Sequence, residues 1–253
     1  MTLTDVKALV FDVFGTVVDW RSSVIAEGEA LGRAQGIQVD WGSFADEWRA
    51  DGYLGGMDRI RRGEAPWQNT DALHRVKLDE MLPRYGIHGL SESEIAHFNR
   101  VWHRLAPWPD TVEGLTRLRR RYTLSTFSNG NFGLLTNLAK HGGLPWDCII
   151  SAELFRAYKP DPAVYLGAAD LLGLRPDEVM VVAAHAYDCR AARDLGLKGG
   201  YVTRPLEFGP LNADDSEPRP LKFGPSGPRT AEPNPAFDVV AEDFLDLAAK
   251  LGT

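Results

Sequence analysis

Cysteine is almost absent from this chain. Its 253 residues include two, Cys148 and Cys189, far apart and without CxxC spacing, so neither a disulfide framework nor a thiolate zinc site is suggested. Long apolar runs are missing too: nothing approaches the about 20 residues needed to cross a bilayer. The first residues, MTLTDVKALVF, lack the basic-then-apolar order of a signal peptide. There is no internal repeat and no block of basic residues. The net charge is −7 and the pI near 5.4, which argues against nucleic acid or an anionic membrane as the partner. These absences point to a cytoplasmic protein with a small-molecule partner. At 44% hydrophobic and 25% charged residues, the chain can bury a core as one large domain or two smaller ones.

What is present is a recurrence of short runs rich in Val, Ile and Thr: VKALVF (6–11), YTLSTFS (122–128), DCIIS (147–151), VMVVAA (179–184), GYVT (200–203) and FDVVA (237–241). Between several of them lie helical patterns that end near a glycine, namely GLLTNLAKHG (133–142), PAVYLGAADLLG (162–173) and DCRAARDLG (188–196). Strands alternating with helices predict an α/β fold, a Rossmann-like parallel sheet whose ligand site lies beyond the carboxyl ends of the strands. Residues 20–104 break the alternation with helical stretches alone. The expected organisation is a core domain from 1–19 and 105–253, with 20–104 inserted as a helical cap domain over the ligand face. Arg204 to Pro235 is dense in proline and glycine without periodicity; a run of that length reads as a surface excursion, an oligomer contact or a lid.

The chemistry gathers at the strand ends. In VKALVFDVFGTVVDW (6–20) an apolar strand delivers Asp12, and two residues on, where a second acid is conceivable, stands Phe14. Ser128-Asn129-Gly130 follows the next strong strand and opens a helix, offering N–H groups, a hydroxyl and an amide to an anion. Lys159, in AYKPDPAVY, precedes a proline suited to the first turn of a helix. Asp188, in VVAAHAYDCRAA, starts the helix after a further strand. Each alone has a plain reading as a cap, a turn former or a solvated side chain. Together they describe an anionic nucleophile, an oxyanion or leaving-group site, a cation and a second acid.

In this order FDVFGTVVD, SNG, YKPDPAVY and HAYD resemble the signature segments of the haloacid dehalogenase superfamily, and the resemblance covers nearly the whole chain. Most members of that superfamily are magnesium-dependent phosphatases. They carry an acid/base aspartate two residues after the nucleophile and a metal-binding acid four residues before the equivalent of Asp188. Here those places hold Phe14 and Ala184, the latter preceded by Ala183. A phosphate ester needs its charge neutralised and its alcohol protonated; a halide leaves as an anion and needs neither. The resemblance therefore narrows to the L-specific 2-haloacid dehalogenases, which implies hydrolysis of a carbon–halide bond without metal or cofactor.

That resemblance implies roles. Asp12 displaces halide from C2 with inversion and forms an ester that water opens at the aspartate carbonyl. Arg49, in EWRADGY, matches the arginine that engages the departing halide, and Asn129 assists it. Ser128 and nearby backbone N–H groups hold the substrate carboxylate. Lys159 stabilises the charge on Asp12 and on the ester's oxyanion, Tyr165 matches a further family position, and Asp188 orients Lys159 or the hydrolytic water. Relatives often carry serine and asparagine where this chain has Ala183 and His185; the AAH version is similar to a subgroup that includes some fluoroacetate-active enzymes. Three roles stay open for His185: activating the water, bonding a small halide, or a structural bond to a backbone carbonyl. Val13, Phe14, Trp20, Tyr53, Trp67 and Tyr187 are candidates for a dry pocket wall and equally for core. Short 2-haloacids (haloacetate, L-2-halopropionate, fluoroacetate) and a homodimer follow as expectations. The alternatives are an atypical phosphatase and a non-catalytic protein that binds a small carboxylate.

Overall fold

A strand covered on both faces has to be apolar throughout, and ALVF meets that demand: as β1 (Ala8–Phe11) all four residues are buried. The computed structural model describes residues 3–209 and 237–253. In it β1 lies in the middle of a six-stranded sheet, flanked by β4 (Thr123–Ser128) and β6 (Val179–Ala183). The order is β5 (Cys148–Ser151), β4, β1, β6, β7 (Lys198–Val202), β8 (Val239–Ala241). Every neighbouring pair is parallel, with Phe11 opposite Thr126 on one side and Val182 on the other. All six runs expected as strands therefore lie in one α/β sheet. Order reverses at β1, so the ends of β1, β4 and β6 open on one crevice.

The connecting helices are α6 (Thr111–Leu118), α7 (Phe132–Gly142), α8 (Pro162–Leu171), α9 (Ala186–Asp194) and α10 (Phe244–Lys250). Two helix starts differ from expectation. Pro162, not Pro160, occupies the first turn of α8, behind Asp161, whose carboxylate accepts from Ala163 N at 2.9 Å. The first residue of α7 is Phe132, so Ser128 ends β4 and Asn129-Gly130 lie in the loop before the helix rather than in its opening turn.

Residues 20–103 are helical: α1 (Trp20–Gln35), α2 (Trp41–Glu47), a π-helical segment (Trp48–Leu54), α3 (Gly55–Arg61), α4 (Thr70–Arg84), α5 (Glu92–Asn99) and a 3-10 turn (Arg100–His103). Their starts follow from the sequence. Asp19, Asp40 and Asn69 cap α1, α2 and α4 by accepting from the backbone N–H three residues on, and Ser91 with Glu94 forms a capping box at α5. Trp48, Phe98 and Trp102 pack ring against ring at 5.3–5.4 Å. At the root of the insertion β2 (Val18–Asp19) pairs antiparallel with β3 (Ala106–Pro107). Two residues per strand are too few to show alternation, so the sequence carries no signal for this ribbon.

The helical segment is tied to the sheet ends by polar contacts. Thr70 donates to Asn131 Oδ1 at 2.8 Å and accepts from Asn131 N at 3.1 Å, while Asn131 Nδ2 donates to Asp71 at 3.0 Å. Arg61 donates to the carbonyl of Lys159 at 3.0 Å. The Pro-rich run expected from Arg204 to Pro235 lies, beyond Gly209, outside the described residues.

On the sheet's other flank Gly114 of α6 meets α10 without clearance: a Cβ there would stand 2.4 Å from Phe244 Cβ and 2.8 Å from its carbonyl carbon. Gly114→Ala is expected to lower stability by about 1–3 kcal/mol through overpacking. Urea unfolding checks it, as a lower midpoint at unchanged slope.

Candidate active site

Asp12 is the first residue past β1, anchored by its own N–H on Val182 O at 2.9 Å. The chain then turns sharply through Gly15, whose φ of +86° is a conformation that glycine adopts without strain. That turn returns Thr16 to Asp12: its hydroxyl donates to Oδ2 at 2.8 Å and accepts from Ala184 N at 2.9 Å. The segment between β5 and α8 brings Lys159, whose three ammonium protons point at Asp12 Oδ1 (3.0 Å), Phe127 O (2.9 Å) and Asp188 Oδ2 (2.5 Å). Asp188 takes a second donor, the Tyr165 hydroxyl, on Oδ1. His185 Nδ1 stands 2.9 Å from Asp12 Oδ2, and its Nε2 3.1 Å from Glu207 Oε1.

The four strand-end positions thus converge, with corrections in detail. Asp188 is the third residue of α9, and His185 precedes that helix, so Asp188 is not its cap. His185 faces two carboxylates rather than a backbone carbonyl. Asn129 Oδ1 accepts from Lys159 N at 2.8 Å, locking two loops together, and Ser128 Oγ accepts from Gly130 N at 3.1 Å. Tyr187 stacks on the His185 ring at 5.8 Å. Trp67 makes no hydrogen bond to this network; its ring lies under the Arg156 guanidinium at 4.7 Å, and its Nε1 is buried without a partner.

Charge decides what these groups are. Burial alone would raise the Asp12 carboxyl, but Lys159 and then His185 outweigh it and hold Asp12 well below the usual carboxylate range. Burial works against the Lys159 ammonium as well, and Asp12 and Asp188 overcome it, raising Lys159 above its ordinary value. Asp188 moves upward, chiefly by burial. Burial opposes the His185 imidazolium, yet Glu207 and Asp12 push it up to about 10. The geometry agrees: a ring with an ionised acceptor at each nitrogen is satisfied only when both nitrogens carry protons.

Arg49 comes from the π-helical segment, a local widening often found where a helix serves a site. Its guanidinium lies 4.3 Å from the Tyr53 ring centroid and 5.5 Å from those of Phe14 and Trp20, and its Nη1 is buried without a hydrogen-bond partner. His74 stacks between Tyr53 (5.4 Å) and Trp102 (4.2 Å) with neither ring nitrogen partnered, and burial drops it to about 3, so it is neutral. A buried cation in an aromatic box, with one donor nitrogen open, makes Arg49 the candidate site for a small anion.

A magnesium ion needs several oxygens converging on one point. Both Asp12 oxygens instead face hydrogen-bond donors, and positions 14 and 184 offer phenyl and methyl groups, so this donor set does not fit one. Sequence reasoning missed Thr16 and Glu207. Thr16 sat unremarked inside the opening motif. Glu207 lies in a stretch without periodicity, where no pattern marks a lone acid.

A family model described as haloacid dehalogenase-like hydrolase matches residues 6–196, and the chain belongs to that family. Within it, a solved structure of the L-2-haloacid dehalogenase PA0810 is 45% identical, with a TM-score of 0.85 over 97% of this chain and 98% of that one. The defluorinating L-2-haloacid dehalogenase Rha0230 is 41% identical, TM-score 0.86, over 98% and 96%. The L-2-haloacid dehalogenase of Xanthobacter autotrophicus, solved with chloropropionic acid covalently bound, is 26% identical, TM-score 0.74, over 96% and 97%.

Because the folded-state value of His185 is raised, its stabilising contribution is complete below about 6.5 and is lost as pH climbs through about 10. Ring-nitrogen NMR is expected to find both nitrogens of His185 protonated at pH 8. A midpoint near 6.5 would contradict the arrangement.

Proposed function

We propose that this chain is a hydrolase that removes halide from short 2-haloacids through an ester on Asp12. One observation carries the reading: a buried carboxylate is kept ionised by Lys159 and His185, and two residues on, where a phosphatase has its acid, the Phe14 ring lies against the guanidinium of Arg49, one nitrogen of which is unpaired. The covalent chloropropionic acid in the Xanthobacter autotrophicus relative supports it.

Asp12 Oδ1 accepts one hydrogen bond and Oδ2 two, so Oδ1 retains a lone pair for attack. A bond forms from Oδ1 to C2 as the carbon–halogen bond breaks, and the halide leaves with the bonding pair toward Arg49, assisted by Asn129. Ser128 and the N–H groups of the following loop hold the substrate carboxylate. Phe14, Trp20 and Tyr53 keep the site dry, which strengthens every charge interaction within it. Asp188, with both oxygens engaged, holds Lys159 in place through a bond that Tyr165 braces. Water then opens the ester and restores Asp12.

The substrate panel includes fluoroacetate because the 41% identical relative is described as defluorinating. A homodimer, a cytoplasmic location and a cap role for the 20–104 segment belong to the same proposal; among the described residues no helix is long and apolar enough to cross a membrane.

Halide release from chloroacetate, fluoroacetate and each enantiomer of 2-chloropropionate tests it. Release is expected to survive EDTA and to fall at least about 1,000-fold in Asp12→Asn, which removes the nucleophile. Arg49→Ala is expected to lower kcat about 100-fold or more by removing an anion-stabilising donor. No release, with magnesium-dependent turnover of a phosphate ester, would favour the phosphatase reading. Carboxylate binding without turnover, unchanged in Asp12→Asn, would favour a binding protein.

A further inference from the structure

Glu207 is a buried carboxylate outside every role assigned above. It is 4% exposed, its Oε1 faces His185 Nε2, and the same oxygen accepts from Trp20 Nε1 at 3.3 Å. The fold makes room for it: a Cβ on Gly15 would lie 2.2 Å from Glu207 Oε1. The turn that presents it is clamped. Arg204 binds both oxygens of Asp110 at 2.8 Å and donates to Thr16 O at 2.9 Å, and the Arg204 carbonyl accepts from Glu207 N at 3.1 Å. The turn after β7 is thereby fixed to the turn after Asp12, and His185 lies between the two carboxylates.

From this geometry we propose that Glu207 is a positioning residue that keeps His185 doubly protonated through the ester stage, so that a cationic Nδ1–H faces the ester carbonyl during hydrolysis. This rests on the dehalogenase reading. If Oδ1 carries the substrate carbon, Oδ2 is the ester carbonyl oxygen, and its donors are Thr16 and His185. Ester formation removes the charge of Asp12, one of the two anions that hold the imidazolium. Glu207 remains as the other.

In the step itself a bond forms from water oxygen to Asp12 Cγ, and the Cγ–Oδ1 bond breaks with its electron pair leaving on Oδ1. One water proton passes to that alkoxide, giving the 2-hydroxy acid, and the other goes to solvent as Asp12 returns to carboxylate. His185 donates to Oδ2 throughout and is not consumed. A charged donor aimed where negative charge develops is worth more than a neutral one. The groups facing His185 are Asp12 and Thr16 from the segment after β1, Glu207 from the turn after β7, and Tyr187 stacked on it from α9; Lys159 and Asp188 lie behind Asp12.

Glu207→Gln, with chloroacetate as the probe, keeps an acceptor of the same shape and removes the charge. Rapid-quench kinetics are expected to give a halide burst of about one per site at nearly the wild-type rate, then steady turnover slowed about 10- to 100-fold at pH 8.5. Mass spectrometry would find the Asp12 ester accumulating. The deficit should shrink toward pH 5.5, where the ring regains its proton. In a His185→Asn background, which has no ring charge to lose, Glu207→Gln should have little effect. A general-base role predicts the reverse pH trend, with ester hydrolysis in Glu207→Gln improving as pH rises, and would overturn the proposal. So would equal slowing of burst and turnover, no effect at all, or the same cost in both backgrounds. Absence of any halide release by the wild type would instead overturn the dehalogenase reading on which it rests.

Discussion

The Lys159 ammonium is the contact on which the site depends. Its three protons go to Asp12, Asp188 and the Phe127 carbonyl, and its side chain is 1% exposed. Two carboxylates sharing a dry pocket repel, and one would take up a proton if no cation stood between them. With Lys159 in place Asp12 stays an anion, and an anion with little water around it is a strong nucleophile. Removing water from a charge is costly, and the surrounding fold supplies the compensation as fixed donors: Thr16 returned by the Gly15 turn, Tyr165 on Asp188, and Asn129 on the backbone of Lys159.

The helical insertion contributes the opposite kind of environment. The residues it packs around Arg49 are aromatic or neutral: Trp20, Tyr53, His74 and Trp102. Phe14 reaches up from the sheet to join them, in edge contact with Tyr53 at 5.4 Å and Trp102 at 6.0 Å. The residue that replaces a second acid therefore also builds the wall around the cation. A carboxylate at position 14 would sit next to Arg49 and pair with it, removing the open nitrogen. The missing acid and the available guanidinium are two aspects of one arrangement.

The parallel sheet was legible because a buried strand has to be an apolar run, and six such runs were there to read. Asp12, Lys159 and Asp188 were legible because strand ends in this architecture converge. The rest depends on distances that spacing does not encode. Thr16 acts only because a turn folds it back by four residues, and a threonine after glycine has the same composition as any turn. The reach of Glu207 to His185 follows from a clamp by Arg204 on Asp110, two residues 94 positions apart. His185 illustrates the limit: the sequence allowed a base, a halide donor or a structural bond, and the two carboxylates facing it were needed to give its charge.

Those charges can be followed through the proposed reaction. In the free protein Asp12, Asp188 and Glu207 pair with Lys159 and His185, and Arg49 lies against Phe14 with no acid bound to it, so three acids are set against three bases. A 2-haloacid brings one further negative charge, which a dry site tolerates poorly. Displacement converts the charge of Asp12 into halide, and once the halide departs the substrate carboxylate takes the place of Asp12 in the balance. The ester complex is then as neutral as the free protein. The unfavourable excess belongs only to the complex that precedes displacement, where the way to relieve it is to expel an anion. A phosphate monoester is relieved less completely: expelling its alkoxide leaves an aspartyl phosphate with two charges, one more than the free carboxylate, and the alkoxide needs a proton that Phe14 does not supply. The same six side chains that suit a haloacid are therefore mismatched to the chemistry of most proteins that share this sheet.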